Sequence, residues 1–156
     1  MELRTVTKAT KIPPLIKRMT DHQRAVYDQL LFMAREMSPE FSDYLDGANI
    51  HTDDAMAQKA GFPSRIAPGV QTYSFLMEML SLFFGESWLK SGKIRVKFIY
   101  PLLIGEEIRC EGEIAEIVGD KKNEGIAKLD LRCKNSQGKL ISVGSAEVRV
   151  KLANND

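Results

Sequence analysis

Cysteine and histidine are scarce in this sequence, which has two of each among its 156 residues. The two cysteines, Cys110 and Cys133, are too few for a disulfide framework or for a zinc site built on cysteine ligands. We interpret both as small core residues. Any catalytic imidazole must belong to His22 or His51. We expect His22 to lie on the surface, because it falls in the first turn of an amphipathic helix.

Excess charge and long apolar runs are also missing. The formal net charge is +1, so the chain has no excess of positive charge with which to bind a nucleic acid or an anionic membrane surface. The longest apolar-rich stretch, Val70–Phe84, contains Gln71 and Glu78 and is too short to span a bilayer of about 30 Å. The first residues lack the apolar segment of a secretory signal. We therefore expect a cytoplasmic protein with no nucleic-acid partner and no membrane partner.

The common signatures of nucleotide, zinc and α/β-hydrolase chemistry do not occur. The chain has no P-loop, no GxGxxG, no HExxH and no GxSxG pattern. We expect an activity that uses neither a metal ion nor a redox cofactor.

The first half of the chain carries helical patterns after an extended N-terminal segment, residues 1–19. Thr20 and Gln23 have the spacing of a capping box. An apolar stripe at helical spacing follows, formed by Val26, Leu30, Met33 and Met37. A short helix capped by Thr52 or Asp53 then ends at Gly61. We expect a single domain over residues 1–156.

A second long helix begins at Pro68-Gly69 and ends near Phe84, with Gly85 as its C-terminal stop. Its apolar side chains lie on nearly every side. A helix of this kind must be buried, so another element has to enclose it.

Four later segments alternate apolar and polar residues with period two, which predicts a half-buried antiparallel sheet. Their apolar phases are Ile94, Val96, Phe98 and Tyr100; Ile108, Cys110, Ile114 and Val118; Ala127, Leu129, Leu131 and Cys133; and Leu140, Ala146, Val148, Val150 and Leu152. A long sheet curled around one buried helix is an α+β architecture, the hot-dog fold. Because such a sheet leaves an open edge, we expect a homodimer or a higher homo-oligomer.

Two places in the sequence are candidates for chemistry. Asp46 and His51 lie five residues apart in an irregular segment, where a carboxylate and an imidazole can hold and polarise one water molecule. Alternatively, Asp46 caps a turn and His51 only flanks a helix. Gly69 presents a backbone N–H at the positive end of the long helix, which suits a developing oxyanion. Taken alone, this pattern favours an ordinary helix start preceded by proline.

Residues 20–150 resemble the MaoC-like (R)-specific enoyl-CoA hydratases and dehydratases. Asp46 and His51 keep the spacing of that family's Asp-x-Asn-Pro-x-His motif, and Arg65-Ile66-Ala67 precedes the glycine that opens the central helix. The run Phe98-Ile99-Tyr100-Pro101 is similar to the family's Phe-x-x-Pro hairpin. The chain departs from the pattern at three positions: Ala48 and Asn49, where the family has Asn-Pro, and Pro68, where it has histidine.

The resemblance implies a hydratase or dehydratase that acts on a 2-enoyl thioester of coenzyme A or of acyl carrier protein. Asp46 and His51 would hold the water, and the N–H of Gly69 would hold the thioester carbonyl oxygen. The acyl chain would lie along the central helix, with three apolar liners: Tyr73, Met77 and Phe98. Two alternatives stay open: a hot-dog thioesterase, and a non-catalytic acyl-binding or partner subunit in which the departures mark a decayed site.

Overall fold

Four helices and six strands make up the computed structural model, which describes residues 3–37, 48–120 and 123–153. The helices are α1 (Asp21–Met37), α2 (Asp54–Lys59), α3 (Gly69–Phe84) and α4 (Glu86–Ser91). The strands are β1 (Thr5–Val6), β2 (Leu15–Arg18), β3 (Lys93–Phe98), β4 (Glu107–Asp120), β5 (Glu124–Asn135) and β6 (Leu140–Leu152).

All six strands belong to one sheet, in the order β1-β6-β5-β4-β2. Strand β3 pairs antiparallel with β6, on the same side of β6 as the parallel strand β1. The remaining pairs are antiparallel. The four strands expected from period-two patterning are therefore confirmed as β3 to β6.

Helix α3 packs against one face of this sheet and supplies the centre of the core. Leu76 and Leu80 are completely buried, in contact with the inward side chains of the central strands. The apolar phase predicted for β5 is buried in full: Ala127, Leu129, Leu131 and Cys133. This arrangement of a curled antiparallel sheet and a buried helix confirms the expected hot-dog fold.

Both cysteines are core residues, as the sequence indicated. Cys110 and Cys133 face each other on β4 and β5, fully buried, with their sulfur atoms 3.2 Å apart. The hydrogen bond between the thiols and then their burial raise the pKa of Cys110 far above its usual range. Cys110 is therefore a neutral packing group, unsuited to act as a nucleophile.

The predicted inward position of Val118 is wrong. A β-bulge shifts the register of β4 between Ile114 and Glu116. Because a bulge inserts one extra residue into one strand, the side chains beyond it exchange faces. Ile117 consequently packs on the core, and Val118 is 43% exposed on the outer face.

Three elements were not predicted from the sequence: β1, β2 and α4. β1 has two residues and β2 has four, too few for a visible alternation, and Pro13-Pro14 directly precedes β2. α4 is a six-residue helix that follows α3 after Gly85, whose φ of 56° redirects the chain. The extended segment expected at residues 1–19 is thus partly recruited into the sheet.

Helix α1 begins with the predicted capping box. The amide N–H of Thr20 donates to Gln23 Oε1 at 3.1 Å, and the amide of Gln23 donates to Thr20 Oγ1 at 3.2 Å. Its apolar stripe, however, faces outward in this chain: Met33 is 58% exposed and Met37 is 84% exposed. Among the described residues, no helix is both long enough and apolar enough to cross a membrane.

Two leucines of α3 provide a matched test of this packing. Leu80 is fully buried, whereas Leu82 is 74% exposed on the same helix. Leu80→Ala should lower the free energy of unfolding by about 2–5 kcal/mol, because it removes buried methyl groups and leaves a cavity. Leu82→Ala should change it by less than about 0.5 kcal/mol. Urea denaturation measures both, and equal effects would contradict the burial of α3.

Candidate active site

The segment that carries His51 is a turn closed by its own side chains. Asn49 Oδ1 accepts the amide N–H of His51 at 2.8 Å, and the carbonyl of Asn49 accepts the amides of Thr52 and Asp53. The hydroxyl of Thr52 in turn accepts the amide of Asn49 at 3.0 Å. Asp53 then caps α2 by accepting the amide of Met56 at 2.8 Å. Hydrogen bonds within residues 49–56 therefore close the turn that carries His51.

One hydrogen bond fixes the imidazole of His51. Its Nδ1 lies 2.9 Å from the carbonyl oxygen of Ile66, and the residue is half-buried. A carbonyl only accepts, so Nδ1 must carry the hydrogen. In the neutral ring Nε2 is then left as an acceptor, which is the state that a general base requires.

Backbone pairing positions that carbonyl. Ile66 donates its amide to the carbonyl of Ile50 at 3.1 Å, so the His51 turn and the segment before α3 are joined directly. Ala67 donates to Leu102 at 2.7 Å, and Ile66 forms an isolated antiparallel bridge with Leu103. The chain that enters α3 is thus held between the His51 turn and the segment that leads from β3 to β4.

The N-terminal end of α3 has a backbone amide that the helix itself does not use. Pro68 is the N-cap and makes no side-chain capping bond. Since the first amides of a helix have no partner inside the helix, the N–H of Gly69 is available to an acceptor at the positive end of the helix dipole. Ile66 and Gly69 are three residues apart, so their Cα atoms lie within about 11 Å of each other.

Glycine at position 69 permits a close contact with Phe98. A Cβ atom on residue 69 would lie 3.3 Å from the Phe98 ring, tighter than ordinary van der Waals contact. The ring is 50% exposed and lies at the end of β3. Two of the candidate residues, Gly69 and Phe98, are therefore brought together.

The other two candidate liners continue this face along α3. Tyr73 and Met77 are half-buried and follow Gly69 at i+4 and i+8, which places all three on one side of the helix. Their contact with an acyl chain stays a prediction. Asp46 lies outside the described residues, and so its partnership with His51 also stays a prediction.

An ion-pair cluster beside the site was not anticipated from the sequence. Arg65 Nη1 lies 2.7 Å from Asp21 Oδ1 in the first turn of α1, and Arg65 Nε lies 3.4 Å from Asp54 Oδ1 in α2. The hydrogen bond to Asp21 is the main cause of the raised pKa of Arg65. Asp21 and Arg65 are separated by 44 residues, so no local pattern could reveal the pair.

A metal centre finds no support in residues 3–37, 48–120 and 123–153. No group of three or more His, Cys, Asp or Glu side chains in these ranges is arranged to hold an ion.

A model of the MaoC like domain family matches residues 33–132, well over half of the chain. The chain belongs to this family. The family resemblance inferred from the Asp46–Gly69 motifs is thereby confirmed, whereas the individual site residues are not tested by it.

Relatives of this MaoC-family chain include an acyl-thioester enzyme and several solved structures. It is 31% identical over 101 residues to the mitochondrial 3-hydroxyacyl-acyl-carrier-protein dehydratase FERN of Solanum lycopersicum, a match covering 65% of this chain and 59% of that protein. The chain thus matches less than two thirds of this relative's length.

Two solved structures share the fold across nearly the whole chain. The (R)-hydratase from A. caviae involved in PHA biosynthesis has 21% identity and a TM-score of 0.63, covering 92% of this chain and 99% of that one. The MaoC-like dehydratase from Rhodospirillum rubrum has 16% identity and a TM-score of 0.65, covering 93% and 94%.

The Asn49 turn leads to a test of the local support of His51. Asn49→Ala removes the acceptor of the His51 amide and should cost about 1 kcal/mol of unfolding free energy. Asn49→Asp keeps an oxygen in that place and should cost less. Amide hydrogen exchange at His51, read together with urea denaturation, measures both effects. Equal exchange in the two variants would show that the side-chain oxygen does not hold the turn.

Proposed function

We propose that this protein adds water across the 2,3 double bond of an acyl thioester, or removes it in the reverse direction. The observation that carries the proposal is the bond from His51 Nδ1 to the Ile66 carbonyl, because it leaves Nε2 free to accept a proton close to the open start of α3. The activities of the similar proteins, an (R)-hydratase and a 3-hydroxyacyl dehydratase, support the same reaction class.

The proposed chemistry uses one base and one oxyanion donor. In hydration, His51 Nε2 takes a proton from water while the water oxygen bonds to C3, and the π electrons move onto the thioester oxygen. That enolate oxygen accepts a hydrogen bond from the N–H of Gly69, where the helix dipole favours negative charge. The proton held on His51 Nε2 then passes to C2 as the thioester C=O bond re-forms, so the imidazole is neutral again and one water has been added. Dehydration reverses each step. Asp46 would give the water a second acceptor.

The acyl chain would follow α3 away from the reacting carbons. With the carbonyl oxygen at Gly69, the side chains of Tyr73 and Met77 lie one and two turns further along the same face, and Phe98 covers its beginning. These apolar groups suit a hydrocarbon chain, whose burial is favourable in proportion to its area. The carrier would be coenzyme A or acyl carrier protein, the latter named for the tomato relative.

The cytoplasmic location stays a proposal as well. Cys110 and Cys133 form no disulfide, their thiols being joined by a hydrogen bond, and free cysteines suit a reducing compartment. Mitochondria are named for the tomato relative, so a mitochondrial site is the outcome that imaging of the tagged protein has to distinguish.

Loss of the base should abolish turnover without loss of the fold. We expect His51→Ala to lower kcat by about 100-fold or more, since a positioned general base contributes at least that much. Asp46→Asn should act in the same direction. The control is His22→Ala, which replaces an exposed histidine of α1. The decay of enoyl absorbance on incubation with a 2-enoyl-CoA measures the rate.

The same assay separates the alternatives. Release of free thiol without hydration would identify a thioesterase, and binding of the thioester without either reaction would identify an acyl-binding subunit. Unchanged turnover in both the His51 and the Asp46 variants would remove these residues from the mechanism.

A homodimer is the assembly we propose. Among the described residues, β3 pairs with β6 along one edge only. Three exposed apolar side chains lie at its end, the last residue of the strand and the two that follow it: Phe98, Ile99 and Tyr100. A second copy that covers this patch would remove it from water and complete the open edge.

The proposed dimer can be broken at its apolar patch. Ile99 is 41% exposed and lies just beyond β3. Ile99→Glu should lower the mass measured by light scattering toward 17.5 kDa, the mass of one chain. Val118→Glu, an equally exposed position on the outer face of β4, is the control and should leave the mass unchanged. A monomeric parent protein would contradict the proposed assembly.

A further inference from the structure

The tautomer of His51 depends on the length of a single hydrogen bond, the one from Nδ1 to the Ile66 carbonyl. An isolated imidazole prefers its hydrogen on Nε2, the opposite of the state found beside Ile66. The Nδ1-protonated form is therefore imposed by the Ile66 carbonyl at 2.9 Å. Because N–H···O bonds form at about 2.7–3.2 Å, a displacement of the carbonyl beyond this range would weaken the bond and with it the preference for hydrogen on Nδ1. The position of the Ile66 carbonyl must therefore be fixed by other contacts of the chain around it.

Arg65, the residue before Ile66, is bound to two other elements. Its guanidinium contacts both carboxylate oxygens of Asp21, through Nη1 at 2.7 Å and Nη2 at 3.4 Å. Its Nε lies 3.4 Å from Asp54 Oδ1, and the same oxygen accepts the Arg65 backbone amide at 2.8 Å. A bidentate arginine–carboxylate pair fixes orientation as well as distance.

The main chain of Arg65 is held from the other side. Its carbonyl accepts the amide of Ile104 at 3.0 Å. The neighbouring amide of Leu103 donates to Glu106 Oε2 at 2.9 Å, which braces the segment opposite Ile66. Residue 65 is thus the point at which α1, α2 and the chain entering α3 are joined, one peptide away from the carbonyl that His51 uses.

We propose that Arg65 is a positioning residue: by binding Asp21 and Asp54 it fixes the Ile66 carbonyl and so maintains His51 in the tautomer with the hydrogen on Nδ1. The catalytic consequence rests on the proposed function, whereas the effect on the tautomer does not. Groups that orient a catalytic or ligating histidine from behind are typically worth 10- to 100-fold. Arg65 touches no reacting atom in this scheme and acts only through Ile66 and His51.

Nitrogen NMR of the imidazole tests the proposal directly. The chain has two histidines, so His22→Gln leaves His51 as the single ring, and ¹⁵N-labelled histidine then reports its tautomer. The parent should show a protonated Nδ1 and an unprotonated Nε2 in the neutral ring. Arg65→Gln should shift both resonances toward each other as the second tautomer becomes populated, and kcat should fall by about 10-fold or more.

Three further variants make the outcome specific. Asp21→Asn breaks the same ion pair from its other end and should move the resonances in the same direction. Arg65→Lys keeps the positive charge but lacks the paired N–H donors of the guanidinium. Its imidazole resonances and its kcat should lie between those of the parent and those of Arg65→Gln. Arg132→Gln is the matched control, since Arg132 also contacts two carboxylates, Glu111 and Glu113, on the outer face of the sheet. It should change neither the resonances nor kcat.

These experiments distinguish the role of Arg65 from the proposed function. Unchanged resonances in a folded Arg65→Gln variant, or a parent ring with its hydrogen on Nε2, would overturn the proposal. If Arg65→Gln does not fold, Asp21→Asn carries the same test with the same two results. A parent with the expected tautomer and no hydratase activity would remove the proposed function and leave the role of Arg65 toward His51 standing.

Discussion

The burial of α3 against the curled sheet is the interaction on which the other parts of the structure depend. Leu76, Met79 and Leu80 have almost no exposed surface. Full burial of each such side chain contributes about 1.5–3 kcal/mol. Because α3 is held along its length in this way, its first residue has a defined position relative to the sheet. A catalytic amide needs that rigidity, since an oxyanion donor is useful only where charge develops.

The candidate site lies where loops meet the end of this helix. The His51 turn is closed by Asn49, joined to the α3 entry through Ile50 and Ile66, and tied to the sheet through Ala67 and Leu102. Each of these bonds involves a backbone group, so the path of the chain supports the arrangement together with the side chains of Asn49 and Arg65. Pro68 is compatible with this helix start, because it is the N-cap residue and makes no side-chain capping bond there.

Periodicity in the sequence was enough to predict α3 and the four long strands, because burial of one face leaves a regular trace in residue order. Local spacing also predicted the Thr20–Gln23 capping box and a cap at Thr52 or Asp53, of which Asp53 is the residue used. Contacts between distant residues leave no such trace. The bond from His51 to Ile66, the contact of Gly69 with Phe98 and the ion pair of Arg65 with Asp21 all depend on the tertiary fold. The register shift in β4 was invisible for a related reason, since a bulge is a property of two paired strands.

That register shift makes the number of residues in this part of β4 a structural constraint. Ile114 and Ile117 both face the core, three residues apart, because one extra residue separates them. A regular pleat over the same residues would turn Ile117 toward water and place Glu116 against the apolar interior. Substitutions at the exposed position 115 disturb only one side chain. Deletion of Ala115 would instead remove the bulge and leave Ile114 and Ile117 on the core side. Loss of one residue elsewhere in β4 would exchange the two faces of the strand beyond it, so the bulge is the point at which a deletion does least damage.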